Sequence, residues 1–167
     1  MRRVIEPVLP DEFTNWMYMA KTVFGEVRGE GDATRRAVAW VIRNRARDPA
    51  HRFGHSVWEV VTRPYQFSCW NRGDPNREAI LHPMRAPLER EAWLECVRVS
   101  WQVLSASEAD NPIPGVYHYH DTSIPPPAWT RGLEPVQVPG VMRLRFYRSP
   151  GRTDAPADDT PGVDKIR

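Results

Sequence analysis

Apolar and polar positions alternate along this chain with two different periods, and the switch between them sets out its organisation. From Asp11, apolar residues recur at helical spacing, with Phe13, Met17, Ala20 and Phe24 on one face. A second helix is predicted to open at Asp32 as N-cap, to carry Ala37, Val38, Val41 and Ile42 inward, and to end near Asp48-Pro49. Ser56-Val57-Trp58-Glu59 has the form of a capping box and predicts a short helix over about residues 57–63. A further short helix is expected over about 76–81. The longest is expected from about Leu88 to Ser105, with Ala92, Trp93, Cys96, Val97, Val103 and Leu104 inward. The period then shortens. Val116-Tyr117-His118-Tyr119-His120 and Val141 to Tyr147 alternate as strands do. Between them, Pro125-Pro126-Pro127 forces an extended loop.

The expected fold is α+β: mostly helical, with a small β element and long loops of the kind that line a binding cleft. The ordered domain is expected to span 11–148. Residues 1–10 read as a lead-in, and 149–167, rich in Pro, Gly, Asp and Thr, as a disordered tail. No internal repeat is visible.

The 167 residues suffice for one domain with a real core. A formal net charge of +2 with scattered arginines gives no argument for nucleic acid as a partner. No apolar run approaches the roughly 20 residues of a bilayer-spanning helix, so membrane insertion is not expected. The start, Met1 to Pro7, is basic but lacks an apolar h-region, and the expectation is a chain without a secretory signal peptide. Cys69 and Cys96 fit no metal or redox spacing, and the sequence leaves their pairing open. Seven tryptophans supply core bulk or flat faces on which sugars stack.

The densest chemical signal is Phe24-Gly25-Glu26-Val27-Arg28-Gly29-Glu30-Gly31, two carboxylates four residues apart among three glycines. A helical register would put both acids on one side. The glycines argue against continued helix, so a loop is predicted over Gly25–Gly31. An acid at the end of a buried helix, facing a loop, is placed to donate a proton. Burial beside apolar neighbours such as Phe24 would raise the pKa of Glu26. The segment Tyr65-Gln66-Phe67-Ser68 combines hydrogen-bonding groups with apolar faces, as a sugar site requires. His118 and His120 would share a strand face, and with Asp121 they form a possible metal triad. Lining of a substrate cleft is the reading preferred here. Trp129, after the proline run, is either a stacking platform or a lid anchor.

In order along the chain, these segments resemble the cell-wall hydrolase family that includes the spore cortex-lytic enzymes and phage relatives. The resemblance rests on Val23 to Gly31, Ala37 to Arg45 with its Asn-Arg end, Val57 to Val61, Gln66-Phe67-Ser68, Gly115 to His120, Trp129 and Phe146-Tyr147. It implies a lysozyme-like fold over 11–148 and cleavage of the β-1,4 bond between N-acetylmuramic acid and N-acetylglucosamine in peptidoglycan glycan strands. The implied activity is that of a lytic transglycosylase or muramidase without cofactor or metal. It carries the catalytic acid onto Glu26. Glu30 would organise the site by pairing with Arg28 or a loop amide. Gln66, Phe67, Ser68, Tyr117, His118, Tyr119 and Trp129 would meet substrate. The chain departs from the spore enzymes in lacking an evident signal peptide and wall-binding domain, and in Trp40 and Cys69 beside the motifs. Synthesis in the cytoplasm and phage-type release to the wall, through a membrane hole made by another protein, fit that pattern. The competing expectations are a metal-dependent wall amidase or peptidase using His118, His120 and Asp121, and a non-catalytic glycan-binding module.

Overall fold

The computed structural model describes residues 11–150; the expected lead-in 1–10 and nearly all of the expected tail, 151–167, lie outside them. Five α-helices occupy the first two thirds of the described chain: α1 (Asp11–Val27), α2 (Asp32–Ala46), α3 (Val57–Thr62), α4 (Arg77–Leu81) and α5 (Arg90–Ser105). Three strands follow: β1 (Val116–Asp121), β2 (Glu134–Val136) and β3 (Leu144–Arg148). The result is the α+β architecture that the periodicity predicts.

The core gathers one face of each long helix. Met19, Ala20, Val23 and Phe24 of α1 meet Ala37, Val38, Val41 and Ile42 of α2, with Trp93, Cys96, Val99 and Val103 of α5 behind them. The expected face of α1 holds at Ala20 and Phe24. Phe13 instead lies exposed one turn from the helix start, edge-on to Trp16. Gly31, not Asp32, is the N-cap of α2. Asp32 occupies the first turn, where its carboxylate receives Arg36 at 2.7 Å and Arg98 at 2.6 Å. That placement suits the positive end of a helix dipole. The predicted capping box forms in part: the Ser56 hydroxyl accepts the Glu59 N–H at 3.2 Å, while the Glu59 carboxylate accepts the N–H of His55, one residue before the cap, at 2.8 Å. α1, with 17 residues, is one longer than α5, with 16.

The sheet order is β1-β3-β2, antiparallel throughout. In β1 the register shifts between Val116, opposite Arg148, and His118, opposite Tyr147, so Tyr117 is an extra, bulged residue. A bulge bends its strand and re-aims the side chains beyond it. Past it, Tyr119 packs on Phe146 from one side of the sheet and His120 stacks on Tyr147 from the other. Both sides are therefore covered, and the expected clean alternation of buried and open positions is absent. Among the described residues no helix is long and apolar enough to cross a membrane.

Candidate active site

Glu26 stands in the last turn of α1, which runs through Gly25 and ends only at Val27. The loop predicted over Gly25–Gly31 is thus confined to 28–31. Gly25 serves close approach rather than helix exit. A Cβ there would lie 2.7 Å from Ile80 Cγ2 and 2.8 Å from Cys69 Cβ. Its absence lets the 3-10 turn Ser68–Trp70 press against α1 and brings Cys69 to the catalytic candidate.

The Glu26 carboxyl is half-buried, and its pKa is raised from 4.5 to about 7. Burial, which penalises the charged form, is the main cause. The Asp74 carboxylate pushes the same way. The Cys69 thiol, the Cys69 main-chain N–H and the Tyr119 hydroxyl, which donates to Oε2 at 3.4 Å, pull against it. Phe24, expected as the apolar neighbour, faces the core and meets Trp93 edge-on at 5.7 Å.

Glu26 opens onto a pocket of about 110 Å³ lined also by Val27, Glu30, Tyr119, Asp121, Arg143 and Leu144. Glu26 and Glu30 do share a side, as their spacing predicts. Glu30 does not pair with Arg28, however. Arg28 donates to Glu89 at 2.7 Å and to Asn76 at 2.9 Å. Glu30 is instead met at 3.2 Å by Arg143, a rim residue 63% exposed that also reaches Asp121 at 3.5 Å. Burial would raise the Asp121 carboxyl, but the amide and hydroxyl of Ser123 and the Arg143 guanidinium together hold it below the usual carboxylate range.

The other predicted residues divide. Tyr119 reaches Glu26. Phe67 is 1% exposed, too deep to meet a sugar; its ring lies against the Arg45 guanidinium at 5.1 Å. The Gln66 side chain accepts from Arg45 at 2.8 Å, and Ser68 begins the turn that delivers Cys69. Tyr117, displaced by the bulge, stacks on Phe53 at 5.4 Å, with Arg52 over its ring. His118 sits between Phe53 and Trp129. Trp129 also meets His120 and Tyr147 edge-on, forming an aromatic wall on the face of β1 opposite Tyr119. The two ring nitrogens of His120 contact the Tyr147 hydroxyl at 2.9 Å and the Asp121 carbonyl at 2.8 Å. Asp121 turns its carboxylate to Arg143 on the other face, so the histidine–aspartate triad considered for a metal does not converge.

One feature of the sequence is structural in a way its charge conceals. Arg43, Asn44 and Arg45, consecutive at the end of α2, are all buried. Arg43 donates to the Val103 and Ala106 carbonyls at 2.6 and 2.8 Å, closing the end of α5. Asn44 donates to Ile113 and Val116 at 2.9 and 3.0 Å, and Arg45 to the Tyr117 carbonyl at 2.7 Å. Asn44 and Arg45 thus hold β1, and with it Tyr119, against the end of α2. Cys69, Asp74 and Arg143 are the site residues that spacing did not reveal. Of these, only Cys69 gave a signal, as an unusual residue beside the Gln66-Phe67-Ser68 element.

A family described as cell wall hydrolase matches residues 29–147. Glu26 lies just ahead of the matched segment; Glu30, Cys69, Tyr119, Asp121 and Arg143 lie inside it. The fold is similar to that of the catalytic domain of the Bacillus cereus SleB protein in its crystal structure. The two agree with a TM-score of 0.53 at 19% identity, over 89% of this chain and 98% of that one. No curated protein matches the chain.

Proposed function

The chain belongs to the cell wall hydrolase family, and from that premise we propose that it cleaves the β-1,4 bond between N-acetylmuramic acid and N-acetylglucosamine in peptidoglycan, as a lytic transglycosylase with Glu26 as its acid and base. The observation that carries this reading is the half-buried Glu26 carboxyl lining a pocket, its pKa raised to about 7 by burial. Glu26 would give its proton to the glycosidic oxygen as the C1–O bond breaks and positive charge develops on the muramic ring. The ionised carboxylate would then take the proton of the C6 hydroxyl as that oxygen bonds to C1, leaving a 1,6-anhydro end. One carboxyl suffices because the substrate supplies its own nucleophile, in contrast to the two-carboxylate glycosidases. The other pocket acids, Glu30 and Asp121, are engaged by Arg143.

The test is mass spectrometry of fragments released from purified peptidoglycan. Anhydro-muramyl ends are expected. Reducing muramyl ends would mean that water is the nucleophile, and loss of activity on chelation would return the reading to a metal-dependent amidase or peptidase.

A further inference from the structure

On the reading just given, positive charge builds on the muramic ring as the C1–O bond breaks, before the C6 oxygen closes onto C1. Glu26 enters that step as a neutral acid, and its own negative charge appears only as its proton leaves. An anion already in place beside the ring would act earlier.

The pocket offers one from its far wall. Glu26 and Glu30 stand on the side of α1 and the turn after it, whereas Tyr119, Asp121 and Arg143 come from the sheet side. Tyr119 and Asp121 lie two residues apart beyond the bulge, so they share one face of β1. That face turns to Glu26, since the Tyr119 hydroxyl donates to its Oε2 at 3.4 Å. Leu144, opposite Asp121 in the strand register, lines the same pocket. Asp121 is thus the carboxylate across the cavity from Glu26, while Glu30 belongs to the wall of Glu26 itself.

The Asp121 carboxylate is fixed at both oxygens. Oδ1 accepts the Ser123 main-chain N–H at 2.8 Å, and Oδ2 accepts from Arg143 at 3.5 Å. Burial alone would raise its pKa; the amide and hydroxyl of Ser123, and then Arg143, outweigh burial and keep it ionised. Arg143 does not cancel the charge. It is 63% exposed and stands nearer to Glu30, at 3.2 Å, so one cation is divided between two carboxylates. Glu30, Asp121 and Arg143 together leave one net negative charge beside a protonated Glu26.

We propose that Asp121 is a second catalytic residue, a fixed anion that stabilises the positively charged muramic ring without bonding to it. The C6 hydroxyl remains the nucleophile, and Glu26 remains the group that gives and takes the proton. The pocket then holds two carboxyls in opposite roles, one neutral to donate and one charged to stabilise.

The experiment pairs kinetics with binding. Asp121→Asn keeps an acceptor for the Ser123 N–H and nearly the same volume, so its melting temperature stays close to that of wild type. On purified peptidoglycan its kcat falls roughly 10–100-fold with KM little changed, the pattern of an interaction realised in the transition state. Binding is measured in the Glu26→Gln background, where position 26 carries no charge. The probes are two N-acetylglucosaminyl-muramyl disaccharides unsubstituted at C1. One has a protonated nitrogen in place of the muramic ring oxygen, and the other keeps the oxygen. Adding Asp121→Asn lowers the preference for the cationic probe about tenfold, whereas adding Arg143→Gln, which removes a cation, raises it. An unchanged kcat in Asp121→Asn, or an unchanged preference, overturns the proposal. So does a preference that falls in both double variants, because Asp121 would then serve only to hold Arg143. If Asp121→Asn does not fold, the Arg143→Gln comparison decides alone, and a fall there overturns the proposal. The role rests on the acid–base reading of Glu26, and Glu26→Gln separates the two. Retained activity in Glu26→Gln defeats that reading, whereas a dead Glu26→Gln beside a wild-type kcat in Asp121→Asn defeats only the role given to Asp121.

Discussion

Gly25 and Cys69 share one space: the position a Cβ on Gly25 would take lies 2.8 Å from Cys69 Cβ and 2.9 Å from its sulfur. Gly25→Ala therefore cannot be absorbed without moving the turn that carries Cys69 or the side chain of Ile80. Overpacking of this kind costs about 1–3 kcal/mol, only partly offset by the better helix propensity of alanine. The expected result is a lower melting temperature together with a loss of peptidoglycan clearing in protein that is still folded. Wild-type clearing in a folded Gly25→Ala protein would show that the turn has room to shift without disturbing Glu26.

Glu26→Gln is expected to lower activity by about 10²–10⁴-fold, the usual contribution of a positioned acid–base. It should also change stability in a pH-dependent way. The folded-state pKa is raised from 4.5 to about 7, so between those values the folded protein holds a proton that the unfolded chain releases. Stability due to this group therefore falls as pH rises through that window and stays reduced above it. Glutamine removes the buried charge. Thermal melts should show Glu26→Gln more stable than wild type at pH 8, by about 2–3 kcal/mol, and little different at pH 4.

On the proposed mechanism the same group sets the activity profile. The proton donor is lost as pH passes about 7, so kcat/KM should decline above that value. Activity that keeps rising to pH 9 would point to a different acid.

Arg143→Gln should leave stability within about 1 kcal/mol of wild type, because its partners hold it at an exposed rim. Its effect should appear in the pH profile. Without the guanidinium, Glu30 and Asp121 face the pocket as uncompensated anions. Nearby negative charge favours the protonated form of Glu26, which moves the upper limb to higher pH. Glu30→Gln removes one of those anions and should be much milder than Glu26→Gln; the reverse order would exchange the roles of the two acids.

Asn44→Ala strips a buried donor from the Ile113 and Val116 carbonyls and should cost about 1–3 kcal/mol. Arg45→Ala also opens a cavity beside Phe53 and Phe67, and roughly 3 kcal/mol or more is expected. Chemical denaturation measures both. Losses below 0.5 kcal/mol would mean that water replaces these side chains.

Helices were legible where apolar spacing decides the outcome. Ala37, Val38, Val41 and Ile42 are buried as their period requires, and Ser56 caps α3 through the group its motif names. Glu26 stood out as a candidate from the glycine-flanked acid pair, but the reason for Gly25 did not, because its neighbours Cys69 and Ile80 are distant in sequence. Nothing in the sequence marks Arg43 and Arg45 as buried. Their burial depends on main-chain carbonyls from α5 and β1 that no local pattern announces. β2 escaped notice because three residues with a central proline, Glu134-Pro135-Val136, carry no periodicity and survive only as a sheet edge. Phe67 was expected at the substrate because sugar sites use aromatic faces, yet the Arg45 cation claims that face first.

The buried Arg43-Asn44-Arg45 triplet has a consequence for how the molecule can adapt. Two of its adjacent side chains, Asn44 and Arg45, tether the helical half to the strand half while Arg43 ties α2 to the end of α5, so the groove cannot widen by parting the two halves. Accommodation of bulkier or cross-linked wall material has to come from the outer lip, where Arg143 bridges Glu30 and Asp121 through side chains alone. Laboratory selection for a broader diet should accordingly collect its changes along 122–143 and leave the tether untouched.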